Sequence, residues 1–130
     1  MALARPILIV DDEENLRRVT QLRLQQAGYD VATAPDGDSA LALLEKAPQD
    51  LVITDLRMAG VSGLDLLRRV KDAYPETIVV VFTAFGTIES AVEAMKEGVY
   101  DYLIKPVSAE ALKMVVARAL DHHRLQQEVR

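Results

Sequence analysis

The stretch Leu51-Val52-Ile53-Thr54-Asp55 joins a short run of apolar and β-branched residues directly to a carboxylate. Such a run is typical of a β-strand that is buried on both faces, as strands of parallel sheets are. The run Ile7–Val10 has the same character and leads into Asp11 and Asp12. Both predicted strands therefore end in carboxylates, at the edge where open parallel sheets form their sites.

Two later runs end in polar groups of a different kind. The run Ile78–Phe82 ends at Thr83, and Tyr102–Ile104 ends at Lys105-Pro106. If all four strands lie parallel in one sheet, three carboxylates, a hydroxyl and an amine meet in one small cleft. That combination suits a divalent metal ion and a phosphoryl group.

Helical patterns alternate with the strand-like runs five times. A fifth run, Asp30–Ala34, is more polar and is therefore expected near an edge of the sheet. Helices are predicted over residues 14–27, 37–46, 64–74 and 87–98 and from 109 onward. This β-α repetition predicts an α/β fold, a doubly wound five-stranded parallel sheet with helices on both faces.

The apolar residues at helical spacing are interpreted as core. Two such stripes lie in the first and fourth helices and comprise Leu16, Val19, Thr20, Leu24 and Ala27, and Ile88, Ala91, Val92, Met95 and Val99. The last helix has an inward stripe, Leu112, Val115, Val116, Ala119 and Leu120, and a second stripe on another side, Ala111, Met114, Leu125 and Val129.

The bulk composition excludes several classes of protein. The 130 residues suffice for one domain, half of them are hydrophobic, and none is a cysteine, so neither a disulfide framework nor a thiolate zinc site is expected. The net charge of −5 argues against direct contact of this domain with nucleic acid. No signal peptide and no stretch long enough to span a membrane is visible, which predicts a cytoplasmic protein.

The acidic residues have both a structural and a functional interpretation. An Asp pair can simply cap a helix, and Glu14 is best explained as favouring a helix N-terminus. Three crowded carboxylates would repel one another, however, and a hard cation such as Mg²⁺ relieves that repulsion. Mg²⁺ and the ammonium of Lys105 would together balance the three negative charges, and the bond before Pro106 is a candidate for a cis peptide.

With these residues in place, the chain resembles the receiver domain of two-component response regulators, over about residues 5–121. The resemblance rests on Asp11-Asp12, Asp55, Thr83-Ala84 and Lys105-Pro106, in this order and each at a strand end. It implies the flavodoxin-like (βα)5 fold, and it implies that a sensor histidine kinase phosphorylates Asp55.

The same resemblance assigns roles to the other site residues. Asp11, Asp12, Asp55 and the backbone carbonyl of Arg57 would hold Mg²⁺, for which Mn²⁺ can substitute. Thr83 and Lys105 would contact the acyl phosphate, and Tyr102 would be the aromatic switch residue. Ala59 stands where the family commonly has proline.

The stretch from Thr83 to Gly98, with Tyr100-Asp101-Tyr102, is most similar to nitrogen-regulatory-type activators. In that group the receiver precedes an AAA+ ATPase and a DNA-binding module and works with sigma-54 polymerase. Residues 5–121 are thus expected to be a receiver, and residues 122–130 the start of a helical linker from a larger protein. The chain is expected to be a signalling domain rather than an enzyme. Phosphorylation is expected to change the surface formed by residues 87–121 and to control a homodimer.

Three alternatives remain at this point. A phosphatase of the haloacid-dehalogenase type would carry a second Asp where this chain has Arg57. A flavodoxin-like FMN module would need a phosphate-binding loop after the first strand, where Asp11 and Asp12 would repel an anion. The third alternative is a stand-alone receiver in a phosphorelay or motility pathway.

Overall fold

The computed structural model describes residues 6–58 and 60–129, with side chains as far as residue 126. It contains strands β1 (Pro6–Val10), β2 (Asp30–Ala34), β3 (Leu51–Thr54), β4 (Ile78–Thr83) and β5 (Asp101–Ile104). The helices are α1 (Glu14–Gln26), α2 (Gly37–Lys46), α3 (Gly63–Ala73), α4 (Ile88–Lys96) and α5 (Ala109–Val129). Every predicted element is present, and Ala59 lies outside the described residues.

The five strands form one sheet in the order β2-β1-β3-β4-β5, and all neighbouring pairs are parallel. The polar strand β2 lies at an edge, as its composition predicted. The chain leaves β1 toward one edge and returns beside β1 as β3, so the direction of winding reverses between these two strands. A crevice opens at the carboxyl ends of the strands at such a reversal, and Asp11 and Asp55 follow β1 and β3 there.

The sheet separates two hydrophobic cores, because successive side chains of a strand point to opposite faces. Ile7 and Ile9 belong to the core shared with α1 and α5. Leu8 and Val10 belong to the core shared with α2, α3 and α4. The predicted doubly wound fold is confirmed. Within the described part of the chain, no helix is long and apolar enough to cross a membrane.

The predicted core stripe of α4 is wrong for Ile88, Val92 and Met95, which are exposed, whereas Ala91 is half-buried and Val99 packs partly buried against the core. Ile88 is 82% exposed and Met95 68% exposed, and Ala94 is the one buried residue of this helix. The prediction for α1 is right for Thr20 and Leu24 and wrong for its other three members, which are exposed. Periodicity shows which residues share a face of a helix, but packing decides which face lies on the sheet.

The inward stripe of α5 is buried as predicted. The helix begins at residue 109 as predicted, and the hydroxyl of Ser108 caps it by accepting a hydrogen bond from the backbone N–H of Ala111. It then continues past residue 121 without interruption, so the predicted boundary between domain and linker stays a prediction. In the second stripe Met114 and Leu125 are exposed, and the side chain of Val129 is outside the described residues.

Candidate functional site

Backbone hydrogen bonds continue the sheet one residue beyond its strands and so align the predicted site residues. The N–H of Asp11 donates to the carbonyl of Ala34 (3.2 Å), and that of Asp55 donates to Val10 (2.9 Å). The N–H of Lys105 donates in turn to the carbonyl of Thr83 (2.8 Å). Residues far apart in the sequence are therefore fixed side by side at one edge.

The two carboxylate oxygens of Asp55 have different surroundings. Oδ1 accepts hydrogen bonds from the backbone N–H groups of Leu56 (2.6 Å) and Arg57 (3.3 Å) and from the hydroxyl of Thr83 (2.7 Å). Oδ2 is paired with the ammonium of Lys105 at 3.1 Å. Because Oδ1 already accepts three hydrogen bonds, Oδ2 is the oxygen better able to form a new bond.

The ammonium of Lys105 joins Asp55 to Asp11. Its Nζ lies 2.7 Å from Oδ2 of Asp11 as well as 3.1 Å from Oδ2 of Asp55, and all three side chains are less than a tenth exposed. Burial lowers the pKa of Lys105, but hydrogen bonds and charge from Asp11 and then Asp55 outweigh burial, so the pKa lies above its ordinary value. Two carboxylates and one ammonium leave the cluster with a surplus negative charge.

A cavity of about 650 Å³ opens beside this cluster. Asp12 and Asp55 both line it, and Asp12 is exposed. The other lining residues come from the loops that follow the strands and from α1, and are Glu13, Leu16, Leu56, Arg57, Met58, Ser62, Ala84, Phe85 and Lys105. The cavity gives a small molecule access to Asp55.

The predicted metal ligands are only partly brought together. Over the described ranges, no three or more His, Cys, Asp or Glu side chains are grouped so that they could hold a metal ion. The ammonium of Lys105 lies between Asp11 and Asp55 and takes the place of a compensating cation. The residues nevertheless fit Mg²⁺, because they offer hard oxygen donors with surplus negative charge, and Mg²⁺ keeps several waters among its ligands.

Tyr102 and Thr83 lie in different parts of the site. Thr83 is fully buried and is bonded to Asp55, and its hydroxyl also accepts a hydrogen bond from the N–H of Phe85 (3.1 Å). Tyr102 is half-buried against the core that α4 shares, and its hydroxyl lies 2.6 Å from Oγ of Ser90 in α4. The peptide bond between Lys105 and Pro106 is cis.

Three features of the site went unrecognised in the sequence. The guanidinium of Arg17 donates to the carbonyl of Asp11 (2.8 Å), and the guanidinium of Arg57 stacks 4.8 Å from the ring centre of Phe85. Gly63 lies against the backbone of Asp55, where a Cβ would collide with the Asp55 carbonyl oxygen. Only the glycine offered a signal, because an unexplained glycine at the start of a helix suggests a close approach of backbone.

The comparison with protein families assigns the chain to a family. Residues 7–117 match the model of the response regulator receiver domain. The chain belongs to the response regulator receiver family. The predicted likeness to receivers of nitrogen-regulatory-type activators is confirmed as well.

Individual relatives of this receiver are regulatory proteins. The nitrogen assimilation regulatory protein NtrX of Azorhizobium caulinodans is 40% identical over 98% of this chain. The transcriptional regulatory protein ZraR of Salmonella typhimurium is 41% identical over 91% of it. The chain spans only 29% and 27% of these two relatives.

Solved structures of response regulators are similar to this chain. The crystal structure of NtrX from Brucella abortus in complex with ADP superposes with a TM-score of 0.92 at 40% identity, over 98% of this chain and 29% of that one. A receiver domain protein from Clostridium thermocellum superposes with a TM-score of 0.89 at 35% identity, over 95% of this chain and 99% of that one. The receiver of this chain therefore matches both a segment of a longer chain and almost the whole of a receiver-sized chain.

Proposed function

We propose that this receiver accepts a phosphoryl group on Asp55 from a sensor histidine kinase, in a reaction that requires Mg²⁺. The observation that carries the proposal is the asymmetry of the Asp55 carboxylate. Its Oδ1 is held by three donors, whereas its Oδ2 is paired with Lys105 and Asp55 lines an open cavity. This arrangement holds a nucleophile in a fixed direction.

In the proposed reaction, Oδ2 of Asp55 forms a bond to phosphorus while the bond from phosphorus to the donor atom breaks opposite to it. The donor atom leaves with the electron pair of the broken bond. The ammonium of Lys105 is already in place at 3.1 Å to stabilise negative charge on the transferring group. Positioning and electrostatic stabilisation are the main requirements of phosphoryl transfer, and the described side chains can supply both.

A cation bound by Asp11, Asp12, Asp55 and the backbone carbonyl of Arg57 would neutralise charge on the phosphoryl oxygens. The role of Asp12 differs from that of its neighbour in this proposal. Asp11 is buried and pairs with Lys105, whereas Asp12 is exposed and lines the cavity, so Asp12 is free to approach an ion there.

Phosphorylation would redistribute the hydrogen bonds of the site. The hydroxyl of Thr83 has a single proton, which it donates to Asp55 in this structure. Once phosphoryl oxygens lie beside Asp55, that proton can be donated to one of them, and the loop that follows Thr83 would move with it. The surface over residues 87–121 would change as a consequence, with Tyr102 as the aromatic switch residue.

The output of the switch belongs to a longer protein in this proposal. The matched regulators extend well beyond the receiver, so we infer that this domain controls transcription through ATPase and DNA-binding domains that follow it, in the cytoplasm.

Exposed apolar side chains on the changing surface, among them Ile88, Met95 and Ile104, would support a phosphorylation-dependent homodimer. Sedimentation with and without a beryllofluoride mimic tests the dimer, and equal mass distributions would contradict it.

Intact-mass measurement with acetyl phosphate tests the proposed phosphorylation. The wild-type chain should gain one phosphoryl group when Mg²⁺ is present and none when the metal is chelated. Asp55→Asn should gain none. Asp72→Asn is the matched control, because Asp72 is an exposed carboxylate in α3 outside the cavity, and it should be labelled like wild type. Labelling of Asp55→Asn at the wild-type rate would overturn the proposal.

A further inference from the structure

The segment between β1 and α1 carries two carboxylates with opposite surroundings. Asp11 is buried, and its backbone N–H donates to the carbonyl of Ala34 (3.2 Å). Its Oδ1 accepts from the N–H of Glu13 (2.9 Å), and its Oδ2 is paired with Lys105 at 2.7 Å. Asp11 is therefore fixed through its N–H and through both oxygens of its carboxylate.

The remaining polar group of Asp11, its backbone carbonyl, is held by a residue of α1. The guanidinium of Arg17 donates to this carbonyl oxygen at 2.8 Å. Arg17 lies half-buried in the first turn of α1, and its backbone N–H donates to the carbonyl of Glu13 (3.0 Å). Its side chain thus reaches from the helix back to the end of β1. Because the donor is charged, this hydrogen bond is stronger than one between neutral groups.

The contact with Arg17 bears on Asp12 because a peptide unit is planar. The carbonyl of Asp11 and the N–H of Asp12 lie in one plane, so a bond to the carbonyl fixes the direction in which the chain enters Asp12. The Asp12 side chain is exposed and lines the cavity, and it forms no hydrogen bond or ion pair with any residue that the structure describes. The position of this carboxylate therefore depends on the backbone that carries it.

We propose that Arg17 is a positioning residue for the metal, which orients the peptide between Asp11 and Asp12 so that the Asp12 carboxylate faces an ion in the cavity. The inference rests on the proposed function, because that proposal puts a divalent cation there. Arg17 is not among the residues that line the cavity, so it acts through the backbone of Asp11. Hydrogen bonds that orient a metal ligand from outside typically change the metal affinity by about 10–100-fold.

The charge of Arg17 by itself predicts the opposite effect. A guanidinium repels a cation, so removal of the charge alone should strengthen metal binding. Arg18, the next residue of α1, is exposed and carries the same charge. Arg18→Met therefore measures the effect of charge, whereas Arg17→Met measures charge and orientation together. The sign of the difference separates the two effects.

Electron paramagnetic resonance of free Mn²⁺, added to the 130-residue chain without a phosphoryl donor, measures the metal affinity directly. Arg17→Met should bind Mn²⁺ about tenfold more weakly than wild type, whereas Arg18→Met should bind it as tightly or slightly more tightly. Arg17→Gln, whose side chain is too short to reach the Asp11 carbonyl, is the second variant should Arg17→Met not fold, and Arg18→Gln is its control. In the background of Asp12→Asn, the Arg17 variants should have little further effect, because the carboxylate that Arg17 orients is absent.

The dependence of acetyl phosphate labelling on Mg²⁺ separates this positioning from a general structural role. In the Arg17 variants, the Mg²⁺ concentration for half-maximal labelling should rise about tenfold. The maximal rate should change much less, because Asp55 and Lys105 keep their contacts. A lower maximal rate with an unchanged requirement for Mg²⁺ would contradict the positioning role.

The outcomes for the Arg17 inference and for the proposed function differ. Equal Mn²⁺ affinity in the Arg17 variants and their Arg18 counterparts would overturn the inference and leave the proposed function standing. A tenfold loss in the Asp12→Asn background would also overturn it, because Arg17 would then act independently of Asp12. A wild-type chain that neither binds Mn²⁺ nor accepts label with Mg²⁺ would overturn the proposed function, and this inference with it.

Discussion

At the scale of single residues, the site depends on a glycine that has no chemistry of its own. Gly63 starts α3, and its N–H donates to the carbonyl of Leu56 (2.9 Å). The backbone of Asp55 passes so close that no Cβ fits at Gly63. The close approach holds the loop that follows Asp55 against the first turn of α3.

Gly63→Ala should therefore destabilise the chain by about 3 kcal/mol, because the new Cβ must displace backbone. Gly28→Ala is the control, since Gly28 has a φ of +97° but nothing within 4 Å of a Cβ. That control should cost about 1–2 kcal/mol, from conformation alone. Urea unfolding measures both, and a Gly63→Ala variant no less stable than Gly28→Ala would contradict the steric argument.

Lys105 contributes to stability as well as to the proposed chemistry. It is the partner of two buried carboxylates, and removal of one member of a buried ion pair typically costs about 3–5 kcal/mol. Lys105→Met, which keeps much of the length of the side chain, should lower the free energy of unfolding by that amount at neutral pH. Equal stability of variant and wild type would show that the carboxylates do not need the ammonium.

The raised pKa of Lys105 predicts how the difference in free energy of unfolding between wild type and Lys105→Met depends on pH. The folded state holds this proton more tightly than the unfolded state, whose ordinary pKa is 10.5. The stabilisation is therefore complete below pH 10.5 and is lost as the pH rises through the folded pKa. In urea unfolding, the difference between wild type and Lys105→Met should shrink above that pH.

At the scale of elements, helix α4 has an exposed apolar face whose sequence pattern is the same as that of a buried face. Its apolar stripe faces outward, while the small side chain of Ala94 lies against the core. A helix that packs through a small side chain can approach the sheet closely. Because protein interiors are closely packed, a larger side chain at this fully buried position would have to displace its neighbours.

Ala94→Leu should thus destabilise the chain by about 1–3 kcal/mol, the usual effect of overpacking. Ile88→Ala, which removes a larger apolar group from the predicted stripe, should change stability by less than about 0.5 kcal/mol, because Ile88 is exposed. Urea unfolding of both variants checks the prediction. A larger loss of stability in Ile88→Ala than predicted would show that this stripe packs in the core after all.

At the scale of the whole molecule, the carboxyl edge of the sheet concentrates negative charge that folding alone does not neutralise. Asp11, Asp12 and Asp55 reach this edge from two neighbouring strands, and Lys105 offsets one of their charges. A divalent cation that binds only the folded chain should therefore stabilise it.

Mg²⁺ at a hundredfold excess over its dissociation constant for the wild type should raise the free energy of unfolding by about 2.7 kcal/mol. Asp12→Asn should lose most of this gain and should itself be no less stable without metal, since one repelling charge is removed. Thermal unfolding with and without Mg²⁺ measures both effects, with Asp72→Asn as control. Equal stabilisation of Asp12→Asn and wild type by Mg²⁺ would show that Asp12 is not a ligand of the metal.

The sequence alone determined the fold and brought four residues of the site together. The side chains of unbroken apolar runs such as Leu51–Thr54 can all be buried only in a sheet that is covered on both faces. Parallel strands bring their carboxyl ends to one edge of that sheet. Asp11, Asp55, Thr83 and Lys105 could therefore be placed together without coordinates. Local pattern and the geometry of parallel sheets carry all of this information.

Only the tertiary structure decided which faces and atoms meet. Helical periodicity is the same for a core stripe and an exposed one, so the outward stripe of α4 could not be recognised. The pairing of Lys105 with Asp11 depends on which atoms come within 3 Å, and so does the hydrogen bond between the hydroxyls of Tyr102 and Ser90. A hydrogen bond requires donor and acceptor atoms about 2.7–3.2 Å apart, whereas a sequence pattern locates residues only to the nearest element.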